Sequence, residues 1–160
     1  MTLNTHYQGQ RLHYRSLAKD AFEKLIEFQS IIAKSGIDEL LLELIKIRAS
    51  QINGCAFCVD MHIKDALLLG EKQERINMLV VWQETSLFTL KEQAALAWTE
   101  ALTNIQKSHI SDELYKFMKE NFTEKEIAYI TMGIVAINGW NRLAISFRDE
   151  SGKYVARQRK

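Results

Sequence analysis

The sequence predicts an all-α protein, a single-domain bundle of about six to seven helices. Three observations support this prediction. Proline is absent and glycine occurs only 7 times in 160 residues, so long helices meet few breakers and tight turns are scarce. Apolar residues recur near helical spacing, and no alternating strand pattern stands beside them. Motifs that cap helix N-termini precede several of these segments.

The first half of the chain is predicted to form four helices. In order, they cover residues 15–34, 38–52, 55–70 and 73–80. Ser35-Gly36, Asn53-Gly54 and Gly70 stand where the first three of them end. Glycine is common directly after a helix because it adopts the left-handed conformation of that position.

The second half is predicted to form three more helices after a loop. The loop covers residues 82–88, and the helices cover residues 89–104, 111–120 and 123–147. Thr89 with Glu92 and Thr123 with Glu126 have the capping-box spacing, in which the two side chains bond each other's backbone amides. Ser111-Asp112 offers an N-cap for the helix between them.

The chain is predicted to be one domain over residues 1–160. A length of 160 residues allows one sizeable core and is short for two domains. Residues 1–10 and 148–160 are polar and are predicted to be terminal arms. No linker or low-complexity segment separates the parts between them.

Charge and hydropathy exclude several classes of partner. Lys plus Arg is 21 and Asp plus Glu is 20, a balance that argues against a nucleic-acid-binding surface. The apolar stretch Met78 to Trp82 is far shorter than the roughly 20 residues that cross a bilayer. The N-terminus has neither the basic start nor the apolar run of a signal peptide. We therefore expect a cytoplasmic protein with no membrane partner.

A short internal repeat joins the two halves. Ile52-Asn53-Gly54 recurs as Ile137-Asn138-Gly139, each time after an apolar, helix-like stretch. Aligning the two copies places Trp140 at the position of Cys55. A duplicated helix pair would therefore carry its chemistry in the first copy alone. Three matched residues also arise by chance.

The segment most informative about chemistry runs from Glu43 to His62. Cys55 and Cys58 are three residues apart and His62 follows four residues later, so a helix starting at Cys55 would place all three on one stripe. The amides and dipole of a helix N-terminus stabilise a thiolate, and a neighbouring histidine can exchange its proton. Two thiols at this spacing can also close a disulfide.

Glu43 is predicted to face His62. It precedes the Asn53-Gly54 turn by about as many residues as His62 follows it, so the two reach nearly the same height in an antiparallel helix pair. Glu43 also lies on an apolar stripe, where a carboxylate costs free energy unless it is paired. We expect a raised pKa for Glu43 in that setting.

Less specific interpretations of the same residues stay open. A single C-x-x-C pair also occurs in metal clips, and structural zinc takes four ligands. Cys55, Cys58 and His62 supply three, and the candidates for a fourth, which have no motif spacing, are His6, His13, His109, Glu43 and Asp60. His62 can also be a core histidine. The three tryptophans, Phe57 and Met61 either line a pocket or make core or oligomer contacts.

The Glu43–Cys55–Cys58–His62 pattern resembles the alkylhydroperoxidase D-like branch of the carboxymuconolactone decarboxylase superfamily. The resemblance is strong over residues 40–70 and looser over 93–103 and 122–147. It implies an all-helical fold, a homo-oligomer (trimer or hexamer) and the reduction of alkyl hydroperoxides by the dithiol, an antioxidant activity.

The resemblance also implies a role for each residue of the pattern. Cys58 would be the peroxidatic thiol and Cys55 the resolving thiol, while His62 and Glu43 would relay the proton. The helix dipole alone favours Cys55 as the more acidic thiol. Phe57 stands where the best-studied branch has a further histidine, and its presence should slow proton delivery or shift the substrate.

The implied cycle needs no metal, flavin or nucleotide. No glycine-rich phosphate loop is present, which argues against a dinucleotide cofactor. The reductant would be an external dithiol, in this family a lipoyl group on a partner protein. Two other enzyme classes remain as alternatives: a thiol–disulfide oxidoreductase or redox sensor, and a lactone decarboxylase like those of the superfamily's other arm, against which both cysteines argue. A helical oligomer without catalytic activity is a third alternative to the peroxidase.

Overall fold

The computed structural model describes residues 9–157, and within them it is built of α-helices without any strand. The helices are α1 (Tyr14–Leu17), α2 (Lys19–Ala33), α3 (Glu39–Asn53), α4 (Ala56–Leu68), α5 (Gln73–Met78), α6 (Leu90–Thr103), α7 (Asp112–Asn121) and α8 (Glu124–Phe147). A 3₁₀ helix over Leu79–Glu84 directly follows α5. The predicted all-α class is confirmed.

Two predicted boundaries were wrong. The helix predicted over residues 15–34 is broken at Ala18, whose φ of −117° and ψ of 49° are not helical. The predicted loop over residues 82–88 begins as the end of the 3₁₀ helix. Leu79 and Trp82 are both buried, and Val81 between them has a non-helical φ of −123° and ψ of 31°, so the 3₁₀ segment is kinked at that residue.

Helix α3 forms the centre of the fold. It packs against α4, α6 and α8 and is buried over most of its circumference, as a helix with apolar residues on several faces requires. Leu42 and Ile45 join one apolar cluster with Ile134 of α8. Leu44 and Ile47 join a second cluster around α4, α6 and the 3₁₀ helix. A polar side chain on α3 is therefore held within the core.

The predicted duplication of a helix pair is not found. The first Ile-Asn-Gly ends α3, where Gly54 has a φ of 71°. The second lies inside α8, a continuous helix, so no turn or second helix follows it. The two copies nevertheless meet, because the Asn53 side-chain amide donates to Oδ1 of Asn138 at 3.0 Å.

The C-terminal segment packs against two helices through polar contacts. Asp149 accepts a hydrogen bond from the Tyr14 hydroxyl at 2.8 Å. Further along, the backbone amide of Gly152 donates to Asp60, and the Tyr154 hydroxyl donates to Oδ1 of Asp65 at 2.8 Å. The predicted polar arm over 148–160 is thus attached to α1 and α4 as far as Tyr154. Residues 1–8 and 158–160 of the predicted arms lie outside the described residues.

Large apolar side chains are exposed on several elements. They include Ile26 and Ile31 on α2, Val80 and Val81 on the 3₁₀ helix, and Met132 and Val135 on α8. Within residues 9–157, no helix combines the length and the apolar character that a membrane crossing requires.

Candidate redox site

A tight turn between α3 and α4 places the two cysteines. Gly54 adopts the left-handed conformation there, and its N–H donates to the Gln51 carbonyl at 3.2 Å. The N–H of Cys55 donates to the Ser50 carbonyl at 3.0 Å, which satisfies another terminal group of α3. Cys55 then becomes the N-cap of α4, and its Sγ accepts the backbone N–H of Cys58 at 3.3 Å. The predicted position of the pair at a helix N-terminus is found.

Cys55 and Cys58 are joined by a disulfide bond. Both are buried, in a small cluster with Ala49 of α3 and Ile137 of α8, and Trp140 packs against the cluster. Cys55 also lines an open groove of about 390 Å³ beside the ends of α8 and the N-terminal segment. Cys55 is thus the member of the pair that borders the groove.

Glu43 and His62 form a buried pair across the α3–α4 interface. Nδ1 of His62 lies 2.7 Å from Oε2 of Glu43, and neither side chain is more than 2% exposed. The predicted facing of these residues is what the structure shows. Nζ of Lys46, one turn further along α3, donates to Oε1 of Glu43 at 2.8 Å and is itself buried.

The surroundings set the charge of each member of this pair. Burial alone raises the pKa of Glu43, but the hydrogen bond and charge of His62 together with Lys46 bring that pKa well below its usual range. The expected raised pKa of Glu43 was therefore wrong, because the hydrogen bond and charge of His62, with a smaller contribution from the buried ammonium of Lys46, outweigh burial. Burial lowers the pKa of His62 more than Glu43 raises it. At neutral pH an ionised Glu43 accepts the Nδ1–H of a neutral His62, and Nε2 keeps its lone pair.

We expect the free energy of unfolding to fall as the pH drops below about 6.5. The pKa of folded His62 lies below the ordinary value of 6.5, so the unfolded chain binds a proton that the folded chain excludes. Between pH 7.5 and 5.5 this linkage costs at most about 1.4 kcal/mol. Urea unfolding of the wild type and of His62→Gln at both pH values measures it. The variant should lose this part of the pH dependence, and a wild type that gains stability on acidification would contradict the assignment.

Asp65 lies beside the pair and was not anticipated. Ligand-type atoms of Glu43, His62 and Asp65 lie within 4.8 Å of one another, and all three residues are buried. This set differs from the cysteine–histidine set considered for zinc. The Lys46 ammonium already bonds Glu43 there, and a positive charge opposes a bound cation. The cluster is better suited to orienting His62 than to holding a metal.

Lys46 and Tyr154 were also missed, and only one of them had a signal in the sequence. Lys46 follows Glu43 by three residues within an apolar run, the spacing of a helical ion pair. Tyr154 reaches Asp65 from 89 residues away, and no local pattern indicates such a contact. Phe57 is half-buried, lines the groove beside Cys55, and has the Arg15 guanidinium 5.8 Å from its ring centroid.

Comparison with known proteins agrees with this geometry. Residues 19–101 match the model of the carboxymuconolactone decarboxylase family. The chain belongs to this family. The uncharacterized protein YdfG of Bacillus subtilis (strain 168) is 38% identical over 138 residues. That match covers 86% of this chain and 94% of YdfG.

Solved structures identify the branch of the carboxymuconolactone decarboxylase family. A protein of unknown function from Agrobacterium tumefaciens, suggested to be the antioxidant defence protein AhpD, superposes with a TM-score of 0.88 at 37% identity. The match covers 91% of this chain and all of that one (100%). The debrominase Bmp8 shares the fold at 17% identity, with a TM-score of 0.77 over 86% of this chain and 74% of its own. The predicted alkylhydroperoxidase D-like membership is confirmed.

Proposed function

We propose that this protein is a dithiol-dependent peroxidase that reduces alkyl hydroperoxides and serves antioxidant defence. The observation that carries the proposal is the disulfide of Cys55 and Cys58 at the start of the helix whose next turn holds His62, itself bonded to Glu43. Such an arrangement supplies a nucleophile, a resolving thiol and an oriented proton carrier. The Agrobacterium relative, suggested to be an antioxidant defence protein, supports the same class.

The first step in this proposal is attack by Cys58. His62 accepts the Cys58 thiol proton at Nε2, and Glu43 stabilises the imidazolium that results. The thiolate attacks one peroxide oxygen, the O–O bond breaks, and the leaving oxygen takes the electron pair and the proton from His62. The products are a sulfenic acid on Cys58 and an alcohol, so sulfur is oxidised by two electrons and the peroxide is reduced by two.

The second step restores the disulfide and a third step reduces it. The Cys55 thiol attacks the sulfenic sulfur, releases water and closes the Cys55–Cys58 bond. One thiol of an external dithiol then attacks Cys55, which lines the open groove, and Cys58 leaves as a thiolate. The donor's second thiol attacks its own sulfur in this mixed disulfide, so Cys55 is released as a thiolate and the donor leaves as a disulfide. The donor we propose is a lipoyl group on a partner protein. The cycle requires no metal, flavin or nucleotide.

We propose further that the protein acts in the cytoplasm as a homo-oligomer, a trimer or hexamer. The exposed apolar side chains on α2 and α8, among them Ile26, Ile31, Met132 and Val135, support association of copies. A cytoplasmic thiol pool would keep the cysteine pair available for cycling.

A thiol–disulfide oxidoreductase or redox sensor is the second candidate. Phe57 favours it, because an aromatic ring beside Cys55 cannot take part in proton transfer. In that case the pair would exchange with disulfides through the groove and react slowly with peroxide. A lactone decarboxylase activity has less support, since it would leave the cysteine pair without a use.

The deciding experiment is peroxide consumption driven by a small dithiol, with tert-butyl hydroperoxide and hydrogen peroxide as substrates. We expect catalytic turnover in the wild type and a steep fall in His62→Ala. Absence of turnover, together with a disulfide that forms and reduces readily, would contradict the peroxidase proposal and favour the oxidoreductase.

A further inference from the structure

The groove beside Cys55 is lined by more positive than negative charge. It has a volume of about 390 Å³ and lies where the α3–α4 turn meets the end of α8 and the N-terminal segment. Arg11 and Arg148 line it, and Asp149 is the one acid among its described lining residues. The whole chain carries a formal net charge of only +1, so these arginines concentrate positive charge beside the disulfide.

The charge of Asp149 is balanced by a residue outside the groove lining. Its Oδ2 accepts a hydrogen bond from the Tyr14 hydroxyl and forms a salt bridge with Arg15, each at 2.8 Å. Its Oδ1 accepts from the Gln10 side chain at 3.2 Å, and the carboxylate is only 4% exposed. Because both oxygens are engaged in this way, the two arginines that line the groove are in excess.

The two lining arginines have no acidic partner among the described residues. Nη1 of Arg11 donates to the Ser146 carbonyl at 3.2 Å, a contact that uses one N–H and leaves the charge unpaired. The half-buried side chain of Arg148 makes no hydrogen bond or salt bridge within residues 9–157. A guanidinium presents several N–H donors in one plane, a geometry that matches a carboxylate.

The backbone of Arg148 is a second observation that points to the groove. Arg148 ends α8 with a φ of 57° and a ψ of 56°, the left-handed conformation. Among residues 9–157 it is the one residue other than glycine with a positive φ. Glycine or asparagine occupies such a position at lower free energy. A residue held in a costly conformation is a candidate for function, and here its guanidinium lines the groove of the disulfide.

We propose that this groove docks the acidic surface of the protein that carries the reducing dithiol, with Arg11 and Arg148 binding its carboxylates. The inference rests on the dithiol cycle of the proposed function and names the kind of donor that the cycle uses. Positive charge attracts the donor, and bound carboxylates hold its attacking thiol beside Cys55. The donor dithiol becomes a disulfide, the Cys55–Cys58 bond breaks, and the donor's two thiol protons pass to the protein sulfurs.

Two short peptides are the probes, each with a dihydrolipoyl group on a lysine. Glutamates flank the lysine in one peptide and glutamines flank it in the other, so the two share one dithiol and one arm and differ in carrier charge. Each is mixed in excess with the oxidised protein at neutral pH and low salt, and new thiols are measured by acid quenching, alkylation and mass spectrometry. We expect the glutamate peptide to reduce the disulfide about fivefold faster, and about 0.5 M salt to remove the difference.

Arg148→Asn and Arg11→Gln test the groove itself. Asparagine tolerates the left-handed conformation, so Arg148→Asn removes the charge without a backbone cost. Each variant should slow reduction by the glutamate peptide about twofold and leave reduction by the glutamine peptide unchanged, and the double variant should react with both alike. Arg142→Gln is the matched control and should react like the wild type. Arg142 is an exposed arginine of α8 that does not line this groove, and its loss changes the net charge equally.

The outcomes separate this inference from the proposed function. Equal wild-type rates with the two peptides would overturn the inference, and so would a preference that Arg142→Gln lowers as much as the groove variants do. Free dihydrolipoate is compared with dihydrolipoamide in the same assay. If that small acid is preferred while the peptides react alike, the groove binds a free carboxylate and the docking inference is wrong. A disulfide that no probe reduces would contradict the dithiol cycle, and with it both proposals. A preference for the glutamate peptide that is lost in the double variant supports the inference.

Discussion

Replacing Cys58 by serine is expected to abolish peroxide turnover. A serine hydroxyl is far less nucleophilic than a thiolate and cannot cycle through a sulfenic acid. Cys55→Ser should also stop steady turnover, but for another reason, because Cys58 would still be oxidised and would then lack its resolving thiol. The measurement is dithiol-driven peroxide consumption, combined with trapping of sulfenic acid by dimedone and mass spectrometry.

The two serine variants together assign the roles of the cysteines. Sulfenic acid trapped on Cys58 in the Cys55→Ser protein, and none in the Cys58→Ser protein, is the expected pattern. The reverse pattern would assign attack to Cys55. That alternative has a structural basis, since Cys55 is the N-cap of α4 and its Sγ accepts a backbone N–H there, which stabilises a thiolate. Position relative to His62 favours Cys58, one helical turn before it.

Replacing Glu43 by glutamine is expected to have the largest effect on both stability and activity among the relay residues. Glu43 accepts from His62 and Lys46, and both partners are buried. Loss of its charge leaves the Lys46 ammonium without its carboxylate partner, which typically costs about 3–5 kcal/mol. The imidazole also loses the carboxylate that stabilises its protonated form, so peroxide turnover should fall by about 100-fold or more. Urea unfolding and the dithiol-driven assay measure the two effects.

A double variant separates the two effects of Glu43. In Glu43→Gln/Lys46→Met the buried ammonium is removed together with the carboxylate, so most of the lost unfolding free energy should return. Turnover should stay low, because His62 still lacks its carboxylate. Full recovery of turnover along with stability would show that Glu43 acts only on folding and would contradict its place in the relay.

The sequence was informative wherever a feature depended on near neighbours. The capping boxes at Thr89 and Thr123 are both present at the starts of α6 and α8. The facing of Glu43 and His62 followed from helical rise on either side of one turn, and that turn has the expected left-handed glycine, Gly54. Each of these features depends on residues within a few turns of one another, so the local sequence is enough to predict it.

Features that depend on distant packing were beyond the sequence pattern. The break at Ala18 separates α2 from Tyr14, which is anchored to Asp149 from the other end of the chain. The pKa of Glu43 was predicted in the wrong direction, because the sequence does not give the balance between its burial, which raises the pKa, and its contacts with His62 and Lys46, which lower it.

The cover of the cysteine pair is contributed by a helix that is synthesised late. Cys55 and Cys58 lie in the first half of the chain, whereas Ile137, Trp140 and Ala144, which pack around them, belong to α8. On the ribosome both thiols therefore emerge before the residues that will enclose them, and oxidants can reach them during that interval. Because the chain contains only 2 cysteines, early oxidation within one chain can form only the Cys55–Cys58 bond. A nascent chain that meets an oxidant thus closes its native disulfide, and a dithiol can reopen it once the fold is complete.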